Sequence, residues 1–282
     1  MPDITLPAGT IHYQDSGPSD GPVIVFVHGL LVDGSLWRSV VAALSDEFRC
    51  VVPTLPMGAH ITPMRERSAA TPLGVADVLA GFLDALDVHD VTLVANDTGG
   101  AITQLLLTRR PDRVGRVVLT NCDSHDNWLP PDFTNLQRLA KIGLLGPLLA
   151  MGYRVPAIRD SRLGFGLLHK RPIPTDILEA WTRPVLASRG VRRDVSDFTR
   201  HIDNQLTLDA AARLSEFTGP ALIAWAPGDR VFPMRYAERL RDAFTKATLV
   251  TVADSGSFVP LDQPDELAHR IREFIRSSAS HP

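Results

Sequence analysis

The amino-acid sequence predicts an α/β fold, a mostly parallel sheet with helices on both faces. Three observations carry this reading. Short β-rich runs alternate with helical patterns along most of the chain. The runs are continuously apolar, as expected of strands covered on both sides. The segments between them place apolar residues on one helical face.

Taken in order, Val23 to Val27 (V-I-V-F-V) and Cys50 to Val52 are the first buried strands. Val75, Val78, Leu79, Phe82, Leu83 and Leu86 then recur at i, i+3, i+4, i+7, i+8 and i+11, which puts them on one side of a helix that should lie on the sheet. Val91 to Val94 is the next strand, followed by a helical pattern with Ile102, Leu105 and Leu106, and then the strand Val117 to Leu119. From about Asn127 to about Phe217 the rhythm breaks into proline-punctuated helical stretches without a strand, an insertion suited to a lid over a pocket. Its run Leu139, Ile142, Leu144, Leu145, Leu148, Leu149 and Met151 is too apolar for a solvated helix and is expected to lie against something. Ala221 to Trp225 and Ala247 to Val252 resume the pattern of buried strands. A last helix beginning near Pro264 buries Leu267, Ile271, Phe274 and Ile275 and ends in a polar tail, Ser277 to Pro282, expected to fray.

At 282 residues and 44% hydrophobic, the chain can bury a full core in one domain with an insertion. Lys plus Arg (29) nearly balance Asp plus Glu (32), leaving a formal charge of -3, so nothing favours nucleic acid or an anionic membrane. A small molecule is the expected partner, and a monomer and a homodimer are both open. Two cysteines, Cys50 and Cys122, form neither a disulfide framework nor a metal-site spacing. No signal peptide is visible, and no apolar run approaches the roughly 18 residues of a membrane span. A cytoplasmic location is expected.

The most informative string is Ala95-Asn96-Asp97-Thr98-Gly99-Gly100, where a strand runs into a helix. Small residues around a central reactive side chain are what a tight strand-to-helix turn demands, and the helix N-terminus supplies N–H groups that stabilise negative charge. An aspartate capping an ordinary helix would read the same way in isolation. Three further motifs supply context. The first strand ends in His28-Gly29-Leu30, followed by Ser35-Leu36-Trp37; residues 226–233 read A-P-G-D-R-V-F-P; and residues 254–260 read D-S-G-S-F-V-P.

In the order nucleophile, acid, base, these four motifs resemble the α/β-hydrolase superfamily across the whole chain. The resemblance implies an α/β-hydrolase fold, with a mostly parallel eight-stranded sheet flanked by helices. Residues 1–126 and 218–282 would form the core and residues 127–217 a helical cap inserted in it. By position it implies Asp97 as nucleophile, Asp229 as acid and Ser257 at the base, with the N–H groups of Leu30 and Thr98 forming an oxyanion hole. His28, Trp37, His125, Trp128, Tyr153 and Phe258 are the expected pocket residues. An aspartate at the elbow is similar to epoxide hydrolases and haloalkane dehalogenases, in which the carboxylate attacks carbon to form an ester. Two departures stand out. Thr98 and Leu30 occupy places where dehalogenases usually carry tryptophan and a polar residue, and the insertion holds only one tyrosine, Tyr153, where epoxide hydrolases usually have cap tyrosines to protonate the opening oxygen.

The larger departure is at residue 257, where the superfamily has histidine. Serine cannot take a proton from water near neutral pH, because its alkoxide is far too basic. Attack by an ionised carboxylate needs no base, but hydrolysis of the resulting ester does. Three resolutions are open at this point. Another histidine substitutes, with His60 and His125 on loops at the carboxyl ends of strands as candidates and His28 read as ordering the oxyanion loop. Alternatively, Asp97 is a general acid or base in a cyclisation, elimination or isomerisation, its pKa raised under an apolar lid, with Asp229 as a carboxyl that could share its proton. Or the chain is an inactive ligand-binding protein. A fourth, that Ser257 is an engineered replacement, is equally compatible with the sequence. Cys122 reads as a small buried hydrophobe rather than a nucleophile, packing competes with pocket lining for Trp37 and Trp128, and Arg189, Arg192, Arg193, Asp194 and Asp197 read as a solvated cap face. The expectation is therefore an enzyme with neither cofactor nor metal, acting on a small, largely apolar organic substrate. Hydrolysis of an epoxide, ester or carbon-halide bond is the default, and a cyclase, lyase or isomerase the alternative.

Overall fold

The computed structural model describes residues 1–162 and 164–279. The strands are β1 (Asp3–Leu6), β2 (Gly9–Ser16), β3 (Val23–Val27), β4 (Arg49–Pro53), β5 (Val91–Asp97), β6 (Val114–Cys122), β7 (Ala221–Trp225) and β8 (Ala247–Thr251). They form an eight-stranded sheet in the order β1-β2-β4-β3-β5-β6-β7-β8. β1 and β2 are antiparallel to each other, and β2 is antiparallel to β4; every other neighbouring pair is parallel. β5 lies between β3 and β6 and is buried along its whole length, which is why its sequence carries no alternation. β8 differs from the expectation of a buried strand. It is the sheet edge, and Thr248 and Thr251 are exposed.

The helices are α1 (Arg38–Leu44), α2 (Pro72–Ala85), α3 (Thr98–Leu107), α4 (Thr134–Lys141), α5 (Leu145–Gly152), α6 (Pro156–Arg159), α7 (Thr175–Ala187), α8 (Arg189–Arg200), α9 (Asn204–Ala211), α10 (Met234–Ala243), α11 (Val259–Asp262) and α12 (Pro264–Ala279). α2 starts where Thr71 accepts the Gly74 N–H and Pro72 supplies a preset first turn. It buries Val75, Val78, Leu79, Phe82 and Leu83, each worth about 1.5–3 kcal/mol of transfer free energy. Leu86 caps its end, partly buried. α12 continues through Ser277 and Ser278, so the expected fraying does not begin there; Ser278 Oγ returns a hydrogen bond to the Phe274 carbonyl. Ser280 to Pro282 lie outside the described residues.

Between β6 and β7 the chain builds α4 to α9. Two expectations for this segment are corrected. Ile142, Leu144, Leu148 and Met151 are exposed rather than covered. Small residues take the contact face of α4 and α5 instead: Ala140 is fully buried, and a Cβ on Gly146 would lie 2.9 Å from Arg192 Cβ. Leu145 is buried with them and Leu149 packs on the core, so the run is covered on one side and exposed on the other. The Arg/Asp cluster on α8 is also not a solvated face. Asp194 is fully buried and accepts from the Met64 N–H (2.7 Å), His60 Nε2 (3.1 Å) and Arg193, while Asp197 takes both prongs of Arg67. These contacts tie α8 to the loop that follows β4.

Two more ties fix the insertion over the sheet. Trp181 on α7 donates from Nε1 to Asp33 and Ser35, beside the His-Gly loop. Buried Asp262 accepts the N–H groups of Lys170, Arg171 and Gly256, and the Phe258 N–H donates to the Leu168 carbonyl. The loop bearing residue 257 is thus held from both sides. Among the described residues, no helix is long and apolar enough to cross a membrane.

Candidate active site

The site begins with backbone geometry. Asp97 ends β5 at φ 56°, ψ −136°, a conformation that is costly for a residue with a Cβ and persists only where the surroundings over-determine it. The surroundings do so through close approach. A Cβ on Gly99 would lie 2.4 Å from the Val27 carbonyl oxygen, and one on Gly29 would lie 2.2 Å from Asp97 Oδ1. Only glycine lets the His-Gly loop and the first turn of α3 close on the aspartate.

The Leu30 N–H donates to Asp97 Oδ1 at 3.0 Å, and the Thr98 N–H also serves the carboxylate. The two N–H groups expected to form an oxyanion hole therefore face the Asp97 side chain itself. Burial raises the pKa of Asp97 above the usual carboxylate range, against the pull of these donors.

Asp97 and Thr98 form the floor of a cavity with about 590 Å³ of atom-free space, part of it open to solvent. Leu30, Leu31 and Phe232 contribute from the core, and Leu129, Pro130, Phe133, Leu136, Leu149, Tyr153, Phe165 and Leu168 from the insertion. Such a lining, apolar with a few convergent polar groups, suits a small organic ligand. The other polar residue on the floor is Asp123, two residues before His125 and not among the residues expected from the sequence. Asp123 is 1% exposed. Its Oδ2 accepts the Thr98 hydroxyl at 2.8 Å, its N–H donates to the Asp97 carbonyl at 3.3 Å, and its Oδ1 has no partner. Burial, reinforced by the neighbouring Asp97 charge, pushes its pKa well above the ordinary value.

Several expected pocket residues lie elsewhere. Trp37 is fully buried, 5.2 Å from the Phe26 ring, so packing describes it and cavity lining does not. Trp128 packs edge-on against Phe198, and its neighbours Leu129 and Pro130 reach the cavity in its place. Phe258 is buried edge-on against Trp181, outside the lining. Tyr153 does line the cavity, stacked 6.0 Å from Phe165.

No histidine is among the described lining residues. His28 is fully buried, with Nδ1 2.8 Å from the Gly29 carbonyl and Nε2 accepting the Leu55 N–H; burial brings its pKa down to about 4, so it is neutral with both nitrogens occupied. His60 is committed to Asp194 and the Gly58 N–H. His125 contacts Ser124 Oγ and is held to about 4 by burial and by Arg239. Both lie outside the cavity lining, which argues against the substitute-histidine idea.

Asp229 accepts the Val231 N–H and Asn121 Nδ2, each at 2.8 Å, and burial raises its pKa. It opens to a different depression from Asp97. The carboxyl sharing the Asp97 cavity is thus Asp123 and not Asp229, a correction to the pairing considered from sequence. Ser257 is fully buried beside Asp229, close enough to favour its charged form, yet its Oγ closes no hydrogen bond of ordinary geometry. Its carbonyl accepts Asn96 Nδ2 at 2.7 Å, which locks the position against the elbow. Cys122 is buried under Gly100, and burial raises its thiol pKa well above the ordinary value, which leaves it an inert thiol. Among the described residues, no group of three or more His, Cys, Asp or Glu side chains could hold a metal ion.

Relatives with known names fit this picture. A cis-3-alkyl-4-alkyloxetan-2-one decarboxylase of Shewanella oneidensis is 29% identical over 278 residues, covering 94% of this chain and 85% of that protein. Haloalkane dehalogenase 2 of Mycobacterium bovis is 28% identical, covering 94% and 91%. Among solved structures, haloalkane dehalogenase DbeA from Bradyrhizobium superposes with a TM-score of 0.81 at 20% identity, covering 99% of this chain and 98% of that one. The thermophilic esterase from Thermogutta terrifontis gives 0.75 at 21%, covering 98% of each. At these identities the structures speak for the fold. The eight-stranded, mostly parallel sheet flanked by helices is the α/β-hydrolase architecture, and the model of the alpha/beta hydrolase family matches residues 24–270: the chain belongs to the α/β-hydrolase family.

Proposed function

We propose that this protein is an enzyme acting on a small, largely apolar organic substrate, with Asp97 as a carboxylate nucleophile, in a reaction that consumes no water. The observation that carries the reading is the lack of an imidazole among the described residues lining the Asp97 cavity, together with serine at residue 257. A carboxylate can attack carbon unaided, but an aspartyl ester is opened by water only with a base in reach. A reaction that expels the aspartate by itself avoids that step.

Decarboxylative opening of a strained lactone has this property. Asp97 Oδ attacks the ring carbon bonded to oxygen, that carbon–oxygen bond breaks, and a substrate carboxylate and an aspartyl ester result. Loss of carbon dioxide then sends the carbon–carbon electron pair into a double bond and expels the Asp97 carboxylate. The products are an alkene and carbon dioxide, and the enzyme returns to its starting state. The similarity to an oxetan-2-one decarboxylase supports this class over dehalogenation, since carbon-halide hydrolysis requires the missing base.

The raised pKa of Asp97 favours a second reading, proton transfer by the neutral carboxyl in an isomerisation or elimination. Incubation with a cis-3,4-dialkyl-oxetan-2-one separates the two. The nucleophile reading predicts alkene and carbon dioxide, and loss of product in Asp97→Ala. A ring-opened hydroxy acid as the product, or full activity in Asp97→Ala, would overturn it.

A further inference from the structure

A buried carboxyl with one oxygen unsatisfied is an expensive arrangement unless it carries a proton. Asp123 is in that position on the floor of the cavity, and its two oxygens are not equivalent. Thr98 Oγ1 lies 2.8 Å from Oδ2 and also serves the Asp97 carboxyl, bridging the two, while Oδ1 is buried without a partner. The residue is also rigidly placed. Its N–H is bonded to the Asp97 carbonyl, its own carbonyl accepts Gln104 Nε2 at 2.9 Å, and the preceding residue, Cys122, is in register with Asp97 across β5 and β6.

We propose that Asp123 is the acid of this site, donating its carboxyl proton to the oxygen that leaves carbon as Asp97 attacks. Two buried carboxyls bordering one cavity cannot both ionise readily, so the pair shares one proton and one charge. Asp97, with two backbone N–H donors besides the Thr98 hydroxyl, carries the charge; Asp123, with that hydroxyl alone and one oxygen unpartnered, carries the proton. As the Asp97–carbon bond forms, the electron pair of the breaking carbon–oxygen bond goes to the leaving oxygen and the Asp123 proton follows it, leaving Asp123 ionised. Before carbon dioxide departs, the substrate carboxyl returns that proton, and Asp123 is neutral again. Protonation of a leaving oxygen from the cavity floor also gives the site an acid that its single cap tyrosine, Tyr153, need not supply.

The assignment rests on Asp97 being the reactive carboxyl, and two probes of different leaving groups keep the claims apart. Phenyl glycidyl ether needs a proton on its opening oxygen; n-hexyl bromide releases bromide and needs none. Intact mass and peptide mapping of wild type should show both probes esterifying Asp97. In Asp123→Asn the epoxide reaction should fall about 100-fold or more, the range for a positioned general acid, while bromide alkylation persists and shows that the elbow is still formed. Equal epoxide labelling in wild type and Asp123→Asn overturns the role of Asp123 alone, and absence of both adducts from wild type overturns the reading of Asp97 and this one with it. Isotope-edited infrared spectroscopy gives an independent check. A protonated-carboxyl band at neutral pH should vanish in Asp123→Asn and persist in Asp97→Asn, where its titration midpoint falls. A band lost in Asp97→Asn instead places the proton on the wrong residue and refutes the proposal.

Discussion

Replacing Ser257 by histidine should convert a trap into a hydrolase. Ser257 is fully buried, beside Asp229 and locked to Asn96 by its carbonyl, so the imidazole enters where its neighbours have closed in. Overpacking of this kind costs about 1–3 kcal/mol. At about 2–4 °C per kcal/mol for chains near this size, the variant should melt several degrees lower but remain folded. The gain is chemical. With one ring nitrogen on the Asp229 carboxylate, the other can take a proton from water aimed at an aspartyl ester, and a positioned base contributes about 10²–10⁴-fold. The assay loads both proteins with n-hexyl bromide, removes the excess, and follows the Asp97 adduct by intact mass. The wild-type adduct should persist while the Ser257→His adduct decays faster by that factor, with release of hexanol. Wild-type decay as fast as the variant's would mean that another group already activates water, and the argument from the missing imidazole would be wrong.

Two further outcomes test the scaffold. Gly99→Ala sets a Cβ 2.4 Å from the Val27 carbonyl oxygen, a backbone atom with little freedom to yield, so the elbow must open; labelling of Asp97 by n-hexyl bromide should be lost even if the variant keeps a cooperative melt. Asp194→Ala strands His60, the Met64 N–H and Arg193 in a buried contact and should cost about 3–5 kcal/mol in urea unfolding. Its pH dependence has a definite sign. Burial works to raise the Asp194 pKa, but His60, the Met64 N–H and Arg193 outweigh it and hold the group below the usual value. The stabilisation is therefore present above the unfolded-state pKa and is lost as pH falls through the folded one. The difference between wild type and Asp194→Ala should shrink on acidification, and a difference that grew would contradict the assignment.

Much of the sheet was legible in the sequence because β3, β5 and β7 are covered on both faces and write that burial as unbroken apolar runs. β8 misled for the same reason in reverse: a β-rich string looks alike at an edge and at the centre. The exposed Ile142, Leu144, Leu148 and Met151 misled because hydrophobicity alone does not say which face of a short helix a neighbour will take, and here the covered face carries Ala140, Leu145, Gly146 and Leu149. The elbow was readable because its glycines answer to local clashes. Asp123 was not singled out, since its importance comes from meeting Asp97 in space, 26 residues away in sequence and one strand over. Trp128 shows how fine the limit is. The correct segment was identified, but the residues facing the cavity are its neighbours Leu129 and Pro130.

The claim that no water is consumed meets its most direct test in the Asp97 carboxyl itself. After many turnovers of a cis-3,4-dialkyl-oxetan-2-one in ¹⁸O-enriched water, the peptide containing Asp97 should retain its original mass, because expulsion of the carboxylate exchanges no oxygen. Incorporation of ¹⁸O into that peptide would mean that water opens the ester, and would contradict the account.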